Sequence, residues 1–297
     1  MKTGTLTGIV YAMLTISLWS TSAYFSAHLR RISPFLLVGI SFTVAGLMGI
    51  RNIRTWKVPL IVFAIGVGGL FGYQVLYFLA FQHAPAVEVN LINYLWPLFV
   101  VLLSPVYLKG YSLRWNHILG ALVGLFGAGV VVTGGVFDAL RFNLSSAPGY
   151  GYAAIAAVIW ASYSLLIKRF QPLPDSLVSG FCLLAGLLAL GFFLSSKPAV
   201  PQAWTLTRQE WLYIILMGVG PHGIAFVTWN LALKHGDPRV IGSFSYLTPL
   251  LSTLILVITG TGRLNATSGG GILLIVAGIL IGSGVFFRRE VVKQSFN

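Results

Sequence analysis

The chain is 297 residues long, 57% hydrophobic and only 8% charged, and it carries a formal net charge of +13. Soluble domains average about 25% charged and about 45–50% apolar residues, so this composition excludes an ordinary soluble core and indicates a membrane protein. The basic balance does not predict a nucleic-acid partner, because the lysines and arginines stand singly or in pairs at the ends of apolar runs rather than on one face.

Ten apolar runs follow one another along the chain. They cover residues 6–27, 34–50, 58–81, 86–108, 116–136, 149–167, 177–194, 211–233, 239–259 and 268–287. About 20 residues of helix span the hydrocarbon core of a bilayer, where the backbone must satisfy its own hydrogen bonds. Continuous apolarity does not fit the alternating pattern of barrel strands. The predicted fold class is an all-α integral membrane protein with ten transmembrane helices.

The charges between the runs predict the orientation of the chain. The first run is interpreted as a retained helix, and an even number of helices places both termini on one side of the membrane. Thirteen of the 19 lysines and arginines then lie on that side and six on the other. Cytoplasmic loops carry the excess of positive charge, so both termini are predicted to be cytoplasmic.

An internal repeat divides the runs into two groups of five. The matches include Gly8 with Gly149 and Trp19 with Trp160 at a shift of 141, His83 with His235, Tyr94 with Tyr246 and Pro97 with Pro249 at 152, and Gly120 with Gly271 and Gly127 with Gly278 at 151. Because each copy has an odd number of helices, the second copy is inverted in the membrane, as in alternating-access transporters. The predicted domains are a first repeat at 1–140, a second, inverted repeat at 141–290 and a cytoplasmic tail at 291–297.

Residues that weaken helices fall near mid-membrane in both repeats. The candidate hinges are Gly69, Gly72, Pro97, Pro221 and Pro249. Proline removes a backbone hydrogen bond and kinks a helix, and transporters often bind their substrate where paired helices are interrupted. The alternative is ordinary helix packing, because glycine and proline are common in membrane helices.

Aromatic and polar side chains near mid-span are the candidate substrate-binding residues. Trp and Tyr normally gather at membrane interfaces, so their presence at depth predicts a cavity that accepts apolar or aromatic groups and attracts an ammonium group. The candidates are Trp19, Tyr73, Tyr77, Asn93, Tyr94, Trp96, Trp160, Tyr163, His222, Asn230 and Tyr246. The alternative for each is core packing or a cross-link between helices, and His222 is either part of the pathway or a core histidine.

Acidic residues are scarce inside the runs. Glu88 falls about one turn into the fourth run, where solvation at the membrane interface is favoured over proton coupling. No acid pair, metal cluster or nucleophile with a base is visible, so the sequence predicts no enzyme, no cofactor and no metal site. A retinal-type receptor is disfavoured as well, because Lys168 and Lys234 lie at helix ends.

These features resemble the drug/metabolite transporter superfamily, specifically its EamA-type members with two five-helix repeats, over essentially the whole chain. The most specific stretch runs from His83 to Pro97, HAPAVEVNLINYLWP, and is similar to that of the YddG-type aromatic amino-acid exporters of bacteria. The second repeat departs from it, with Thr248 where the first has Trp96. The resemblance implies a transporter of the bacterial inner membrane that exports amino acids from a central cavity bounded by both repeats.

The leading hypothesis is export of aromatic or neutral amino acids and related small zwitterions by alternating access. A second hypothesis is export of small lipophilic drugs or nucleobase-like metabolites, and a third, of another class, is an intramembrane enzyme. The expected partners are a small-molecule substrate and the lipid bilayer. Small-residue spacings such as Gly120 with Gly124 fit close packing within a monomer or in a weak homodimer.

Overall fold

The computed structural model of the protein describes residues 3–136, 140, 143–196, 206–260 and 266–283. Residue 141, where the second repeat is predicted to begin, and the predicted tail 291–297 lie outside the described residues. Within the described part the chain forms helices and no strand. The α-helices are α1 (Thr3–His28), α2 (Pro34–Met48), α3 (Leu60–His83), α4 (Ala86–Asn93), α5 (Trp96–Tyr107), α6 (Trp115–Thr133), α7 (Ala147–Arg169), α8 (Leu177–Ser195), α9 (Arg208–Met217), α10 (Ala225–His235), α11 (Pro238–Phe244), α12 (Leu247–Ile258) and α13 (Ala266–Gly282).

Eight segments of the described chain are long and apolar enough to cross a membrane, and two shorter apolar helices accompany them. The eight are Leu6–His28, Leu60–His83, Ala86–Tyr107, Trp115–Thr133, Leu144–Arg169, Leu177–Ser195, Arg208–His235 and Pro238–Ile258, and the shorter two are Pro34–Met48 and Gly269–Gly282. Each coincides with a predicted apolar run, because apolar length alone determines where a chain can cross lipid. The prediction of a helical, multi-pass membrane protein is confirmed.

Two of these segments are interrupted just before a proline. The turn between α4 and α5 includes Tyr94, three residues before Pro97, and the turn between α11 and α12 includes Tyr246, three residues before Pro249. Proline fits the first turn of a helix, where the N–H that it lacks would have no helical partner. Each proline therefore lies in the first turn of a new half-helix, near the middle of its apolar segment.

The segment formed by α9 and α10 changes its helix type in the middle. Residues Gly218–Ile224 form a π-helix that contains Pro221. By contrast, α3 runs unbroken through Gly69 and Gly72, so the interruption expected at these two glycines is absent. The physical reason is packing: a Cβ on Gly69 would lie 2.7 Å from the side chain of Tyr163, so this glycine lets α3 approach α7 closely.

Antiparallel helix pairs hold the bundle together, chiefly α1 with α10, α3 with α7, α2 with α8 and α6 with α13. A Cβ on Gly8 of α1 would lie 2.6 Å from Gly236 Cα, and one on Gly149 of α7 would lie 2.9 Å from Ala80 O. Small residues allow such close approach of backbones in membrane bundles. The largest buried cluster lies where α1, α3, α5, α7, α8 and α10 meet, and it forms one wall of a central cavity.

Candidate functional site

A cavity of about 320 Å³ lies at the centre of the bundle, between helices of both halves of the chain. Eight of the eleven predicted substrate-binding residues line it: Trp19, Tyr73, Tyr77, Asn93, Tyr94, Trp96, Trp160 and His222. Small-molecule sites are mostly apolar concavities of about 300–1,000 Å³ that contain a few polar groups. The volume and the lining therefore suit one small, largely apolar molecule.

The cavity extends from the middle of the bundle to one of its ends. At the inner end, Trp160 and Trp96 are only 4% and 6% exposed. At the outer end, Ser26 and Phe81 line the cavity and are exposed, where α1 and α3 end and α2 begins. A molecule in the cavity thus has a route to one side of the protein.

Four tryptophans form the inner end. Trp19 lies with its ring centroid 5.7 Å from that of Trp160 and 6.1 Å from that of Trp96, and Trp229 lies behind them, 5.2 Å from Trp19 and 5.4 Å from Trp96. Aromatic pairs favour centroid distances of 4.5–7 Å. The cluster is therefore a packed aromatic surface on which a ligand ring can lie.

Hydrogen bonds fix the orientation of two of these indoles. Trp19 donates its Nε1–H to Pro221 O in the π-helix at 3.1 Å, and Trp229 donates its Nε1–H to Ser164 Oγ at 3.0 Å. Both indole donors are satisfied by protein, so Trp19 offers the cavity its ring and not its N–H group. Indole faces attract cations and stack on other rings.

A polar wall connects α3 with α4 beside the first helix break. Asn93 donates from Nδ2 to the hydroxyl of Tyr73 at 3.1 Å, and Tyr77 donates its hydroxyl to Asn90 Oδ1 at 2.5 Å. The rings of Tyr73 and Tyr77 stack at 5.5 Å because they are four residues apart on one helix face. This wall supplies polar groups next to the aromatic surface.

His222 lies on the π-helix and lines the cavity. Its Nδ1 is 2.9 Å from Ser41 Oγ of α2, and its ring meets the Phe42 ring edge-on at 4.7 Å. The sequence offered two interpretations of His222, a pathway residue and a core histidine. Both apply, because the core holds one edge of the ring and the residue still lines the cavity.

The structure does not place the other three predicted residues on the cavity. Tyr163 is 2% exposed behind Trp160, and its hydroxyl accepts a hydrogen bond from Asn230 Nδ2 at 3.4 Å. Tyr246 is fully buried and packs on Gly124 of α6, in a separate apolar cluster. In this structure Tyr163, Asn230 and Tyr246 therefore do not line the cavity, because depth in the membrane does not determine which way a side chain faces.

Glu88 is also placed differently from expectation. Its residue exposure is 4%, so it is buried within the protein rather than solvated at the membrane interface. Glu88 lies in the first turn of α4.

Among the residues at the site that the sequence analysis did not select, three lie close to the tryptophans and the helix breaks. Phe226 and Thr248 line the cavity, and Trp229 supports Trp19 and Trp96 from behind. A usable signal existed, since the repeat shift of 152 relates Trp229 to Tyr77, a residue that was selected.

Polar contacts cross the opposite end of the bundle. Lys168, at the end of α7, donates from Nζ to Leu233 O at 2.5 Å and to Gly236 O at 2.9 Å, which caps the C-terminal end of α10. Tyr107 of α5 donates its hydroxyl to Ser162 Oγ of α7 at 3.1 Å. Cations stabilise helix C-termini, so these contacts hold α5, α7 and α10 together and close this end.

A charged contact stabilises the end to which the cavity extends. Arg31, between α1 and α2, forms a two-point ion pair with Glu210 of α9, with an Nε–Oε1 distance of 2.5 Å. Glu210 also accepts the backbone N–H of Thr207 at 2.8 Å in a capping box that begins α9. The pair joins α9 to the α1–α2 turn without crossing the cavity.

A helical membrane bundle with a central cavity that reaches one end, and that is closed by polar contacts at the other, is the architecture of a membrane transporter. The family comparison agrees: the model of the EamA-like transporter family matches residues 6–133 and 147–283. The chain belongs to this family.

Similar proteins match over nearly the full chain. A relative from Ancylobacter novellus, named as the aromatic amino acid exporter YddG, is 40% identical over 90% of this chain and 93% of its own length. A relative from Streptantibioticus cattleyicolor, named as a probable terminal-alkyne amino-acid exporter, is 26% identical over 96% of this chain and 97% of its own. One solved crystal structure matches with a TM-score of 0.84 at 38% identity and covers 93% of this chain and 96% of that chain.

Proposed function

We propose that the protein exports amino acids with aromatic or other neutral side chains, and related small zwitterions, by alternating access. The observation that carries the proposal is the central cavity of about 320 Å³, whose inner end is formed by Trp19 of α1 and Trp160 of α7. An aromatic or aliphatic side chain fits against these rings, and their faces attract an ammonium group. The relatives named as amino-acid exporters support the same class of substrate.

In many transporters alternating access arises from the movement of two related halves. We propose that the ten apolar segments are ten transmembrane helices in two inverted repeats, 1–140 and 141–290, with a tail at 291–297. Equivalent contacts support this arrangement. Gly8 contacts Gly236, and Gly149 contacts Ala84. Under the repeat, Gly8 is equivalent to Gly149 and Ala84 is equivalent to Gly236, so each contact is the repeat equivalent of the other. The chain reverses its direction twice between α1 and α3, so these two helices run the same way. Gly8 lies near the start of α1 and Ala84 at the end of α3, so the two contacts lie at opposite ends of the bundle.

The last helix of each proposed repeat behaves in the same way. A Cβ on Gly120 would lie 2.6 Å from Gly278 O, and one on Gly127 would lie 2.8 Å from Gly271 O. Mapping 120 onto 271 and 127 onto 278 exchanges the two contacts. An interface in which residue i meets the equivalent of j, and j the equivalent of i, is the mark of a two-fold relation.

The charges support one direction of access. Most lysines and arginines lie on the side of the termini, which makes the termini and the end closed by Lys168 cytoplasmic and the end at Ser26 periplasmic, in a bacterial inner membrane. Export then requires the Lys168 and Tyr107 contacts to open while the cavity closes at the other end. The helix breaks near Pro97, Pro221 and Pro249 are the proposed hinges.

The proposed cycle needs neither catalysis nor a cofactor, and one chain forms the whole cavity, so a monomer suffices. Counterflow tests the proposal: liposomes that contain the purified protein are loaded with unlabelled tryptophan, and uptake of labelled tryptophan is measured. We expect uptake by the wild type, a loss of about tenfold or more in Trp160→Ala, and little change in Trp115→Ala. Trp115 is a matched control because it is 83% exposed at the start of α6.

The controls separate the possible failures. Absence of tryptophan uptake by the wild type contradicts the proposed substrate class, and equal uptake by the two variants contradicts the role of the cavity. Competition by leucine, by an uncharged nucleobase and by a lipophilic amine distinguishes an amino-acid exporter from an exporter of drugs or nucleobases.

A further inference from the structure

His222 has one ring nitrogen held by the protein. Its Nδ1 is 2.9 Å from Ser41 Oγ, and Ser41 itself donates to the carbonyl oxygen of Leu37 at 2.7 Å. A serine hydroxyl has a single proton, and here that proton is directed at Leu37. Ser41 Oγ therefore accepts at His222, which assigns the neutral tautomer with the proton on Nδ1 and a lone pair on Nε2.

The other ring nitrogen, Nε2, has no hydrogen-bond partner among the described residues. His222 is half-buried and lines the cavity, and its ring is wedged between Phe42 and Phe226, whose centroids lie 4.7 and 5.6 Å away. These rings offer Nε2 no hydrogen-bond donor. These contacts hold the orientation of the ring in this structure and leave the Nε2 lone pair available to a molecule in the cavity.

The cavity has two other side-chain carbonyl acceptors, the amide oxygens of Gln74 and of Asn93, whose Oδ1 has no hydrogen-bond partner among the described residues. Its described lining contains no Asp or Glu, and its hydroxyl groups, such as those of Ser22 and Thr248, can turn to donate or to accept. An amino acid that enters the cavity brings an ammonium group that has lost water and needs acceptors. Imidazole is the most basic neutral acceptor among the lining side chains.

We propose that His222 Nε2 accepts a hydrogen bond from the α-ammonium group of the substrate and so selects amino acids over analogues that lack this group. The inference rests on the proposed function, and it adds to it the residue that recognises the amino end of the substrate. Ser41 is the positioning residue, since it fixes the tautomer without touching the substrate.

Two isosteric variants separate this role from a structural one. Asn has its polar group near the position of Nδ1, so His222→Asn keeps the contact with Ser41 and removes the Nε2 acceptor. Gln reaches the position of Nε2, so His222→Gln keeps an acceptor in the cavity and gives up the contact with Ser41. The probes are labelled tryptophan and, as competitors, unlabelled tryptophan and indole-3-propionate, which lacks the amino group.

In the wild type we expect tryptophan to compete about 10- to 100-fold better than indole-3-propionate. This factor corresponds to one hydrogen bond to a charged group, because about 1.4 kcal/mol of binding free energy changes the affinity tenfold. His222→Asn should lose most of this preference, and His222→Gln should retain much of it. Ser41→Ala, a small change on α2, should reduce the preference by a smaller factor because it frees the tautomer.

The outcomes that overturn the inference differ from those that overturn the proposed function. If the wild type binds no tryptophan, the proposed function falls and this inference with it. If the wild type binds tryptophan but shows no preference over indole-3-propionate, or if His222→Asn keeps the full preference, only the role of Nε2 is contradicted. Melting temperatures of the variants, measured in the same detergent, show whether each is folded.

Discussion

Trp19 and Trp160 meet at the centre of the bundle with ring centroids 5.7 Å apart, although 141 residues separate them in the chain. They lie in the two separate regions, 6–133 and 147–283, that match the EamA-like family. Under the proposed inverted repeat they are equivalent residues, and equivalent residues can touch only near the axis that relates the two halves. A substrate at this contact touches both halves at once, so any movement of one half against the other reshapes the cavity.

The residues Tyr94 and Tyr246 are equivalent in sequence but not in surroundings. Tyr94 is half-buried on the cavity, whereas Tyr246 is 0% exposed in the cluster of α5, α6, α12 and α13. Removing a large buried aromatic side chain costs about 3–5 kcal/mol. We expect Tyr246→Ala to lower the thermal stability of the detergent-solubilised protein strongly and to leave the ratio of tryptophan to leucine competition unchanged.

Tyr94→Ala should show the opposite pattern, with a shift in that competition ratio and a much smaller loss of stability. Measuring the melting temperature and the ratio for both variants checks the pair of expectations. A change in selectivity from Tyr246→Ala, in a variant that remains folded, would contradict the assignment of Tyr246 to the core.

The close contact between α6 and α13 depends on Gly120. A Cβ at this position would lie 2.6 Å from Gly278 O and in contact with the backbone of Gly282. Backbone atoms cannot move aside as a flexible side chain can, so overpacking should cost about 1–3 kcal/mol. Gly120→Ala is expected to lower the melting temperature.

Gly68→Ala is the matched control, because a Cβ at Gly68 of α3 would meet nothing within 4 Å. Alanine also has the higher helix propensity, so this variant should be as stable as the wild type or more so. Equal losses in both variants would show that the α6–α13 contact is not the cause.

The helices could be predicted from sequence because membrane insertion depends mainly on apolar length. The predicted run 177–194 and the observed α8, Leu177–Ser195, differ by one residue at one end. The breaks before Pro97 and Pro249 were predictable for a similar reason, since they follow from the missing N–H of proline.

The direction of each side chain could not be predicted in the same way. Tyr163 and Trp160 lie at similar depth on α7, yet one faces the core and the other faces the cavity. The cavity reaches only one end of the bundle, so residues that are equivalent in the two repeats do not have the same neighbours. Tyr94 lines the cavity, whereas its equivalent Tyr246 lies in an apolar cluster. Gly69 and Gly72 show a third limit, because glycine permits both close packing and helix bending and the sequence does not distinguish them.

Lys168 and Lys234 are two lysines at helix ends with different contacts. The ammonium group of Lys168 bonds to two carbonyl oxygens, Leu233 O and Gly236 O, across the α7–α10 contact. Lys234 pairs with Asp175 at 2.8 Å at the surface, where ion pairs contribute about 0–1 kcal/mol. We expect Lys168→Met to loosen the closed end and Lys234→Met to have little effect.

Thiol labelling can detect that loosening. In a Cys182→Ser background, a cysteine that replaces Ser162 lies at the Tyr107 contact in the closed end. A membrane-impermeant maleimide added from the side that we propose is cytoplasmic should label this cysteine several times faster in Lys168→Met than in Lys234→Met. Equal rates would mean that the Lys168 contacts do not keep this end closed.

Asp237 between α10 and α11 makes stability depend on pH. Burial alone raises the pKa of Asp237, but hydrogen bonds from Arg239, at 2.6–3.3 Å, and its positive charge outweigh burial and hold this pKa below its ordinary value. The folded state therefore binds fewer protons than the unfolded state as the pH approaches the ordinary aspartate value of about 3.9. The resulting stabilisation is fully present above that value and is lost as the pH falls through the lower, folded pKa.

Asp237→Asn tests this link, because asparagine can still accept the backbone N–H of Arg239, which Asp237 accepts at 2.9 Å, and so still caps α11. The variant loses the charge and the second carboxylate oxygen, which accepts from Nε and Nη2 of Arg239 at 3.3 and 2.6 Å. It should be less stable than the wild type by about 1–3 kcal/mol near pH 7, the range for a charged hydrogen bond. The difference in melting temperature should stay constant down to about pH 5 and narrow below about pH 4 as the wild-type carboxylate takes up its proton. A difference that remains constant down to pH 3 would show that the charge of Asp237 does not stabilise the folded protein.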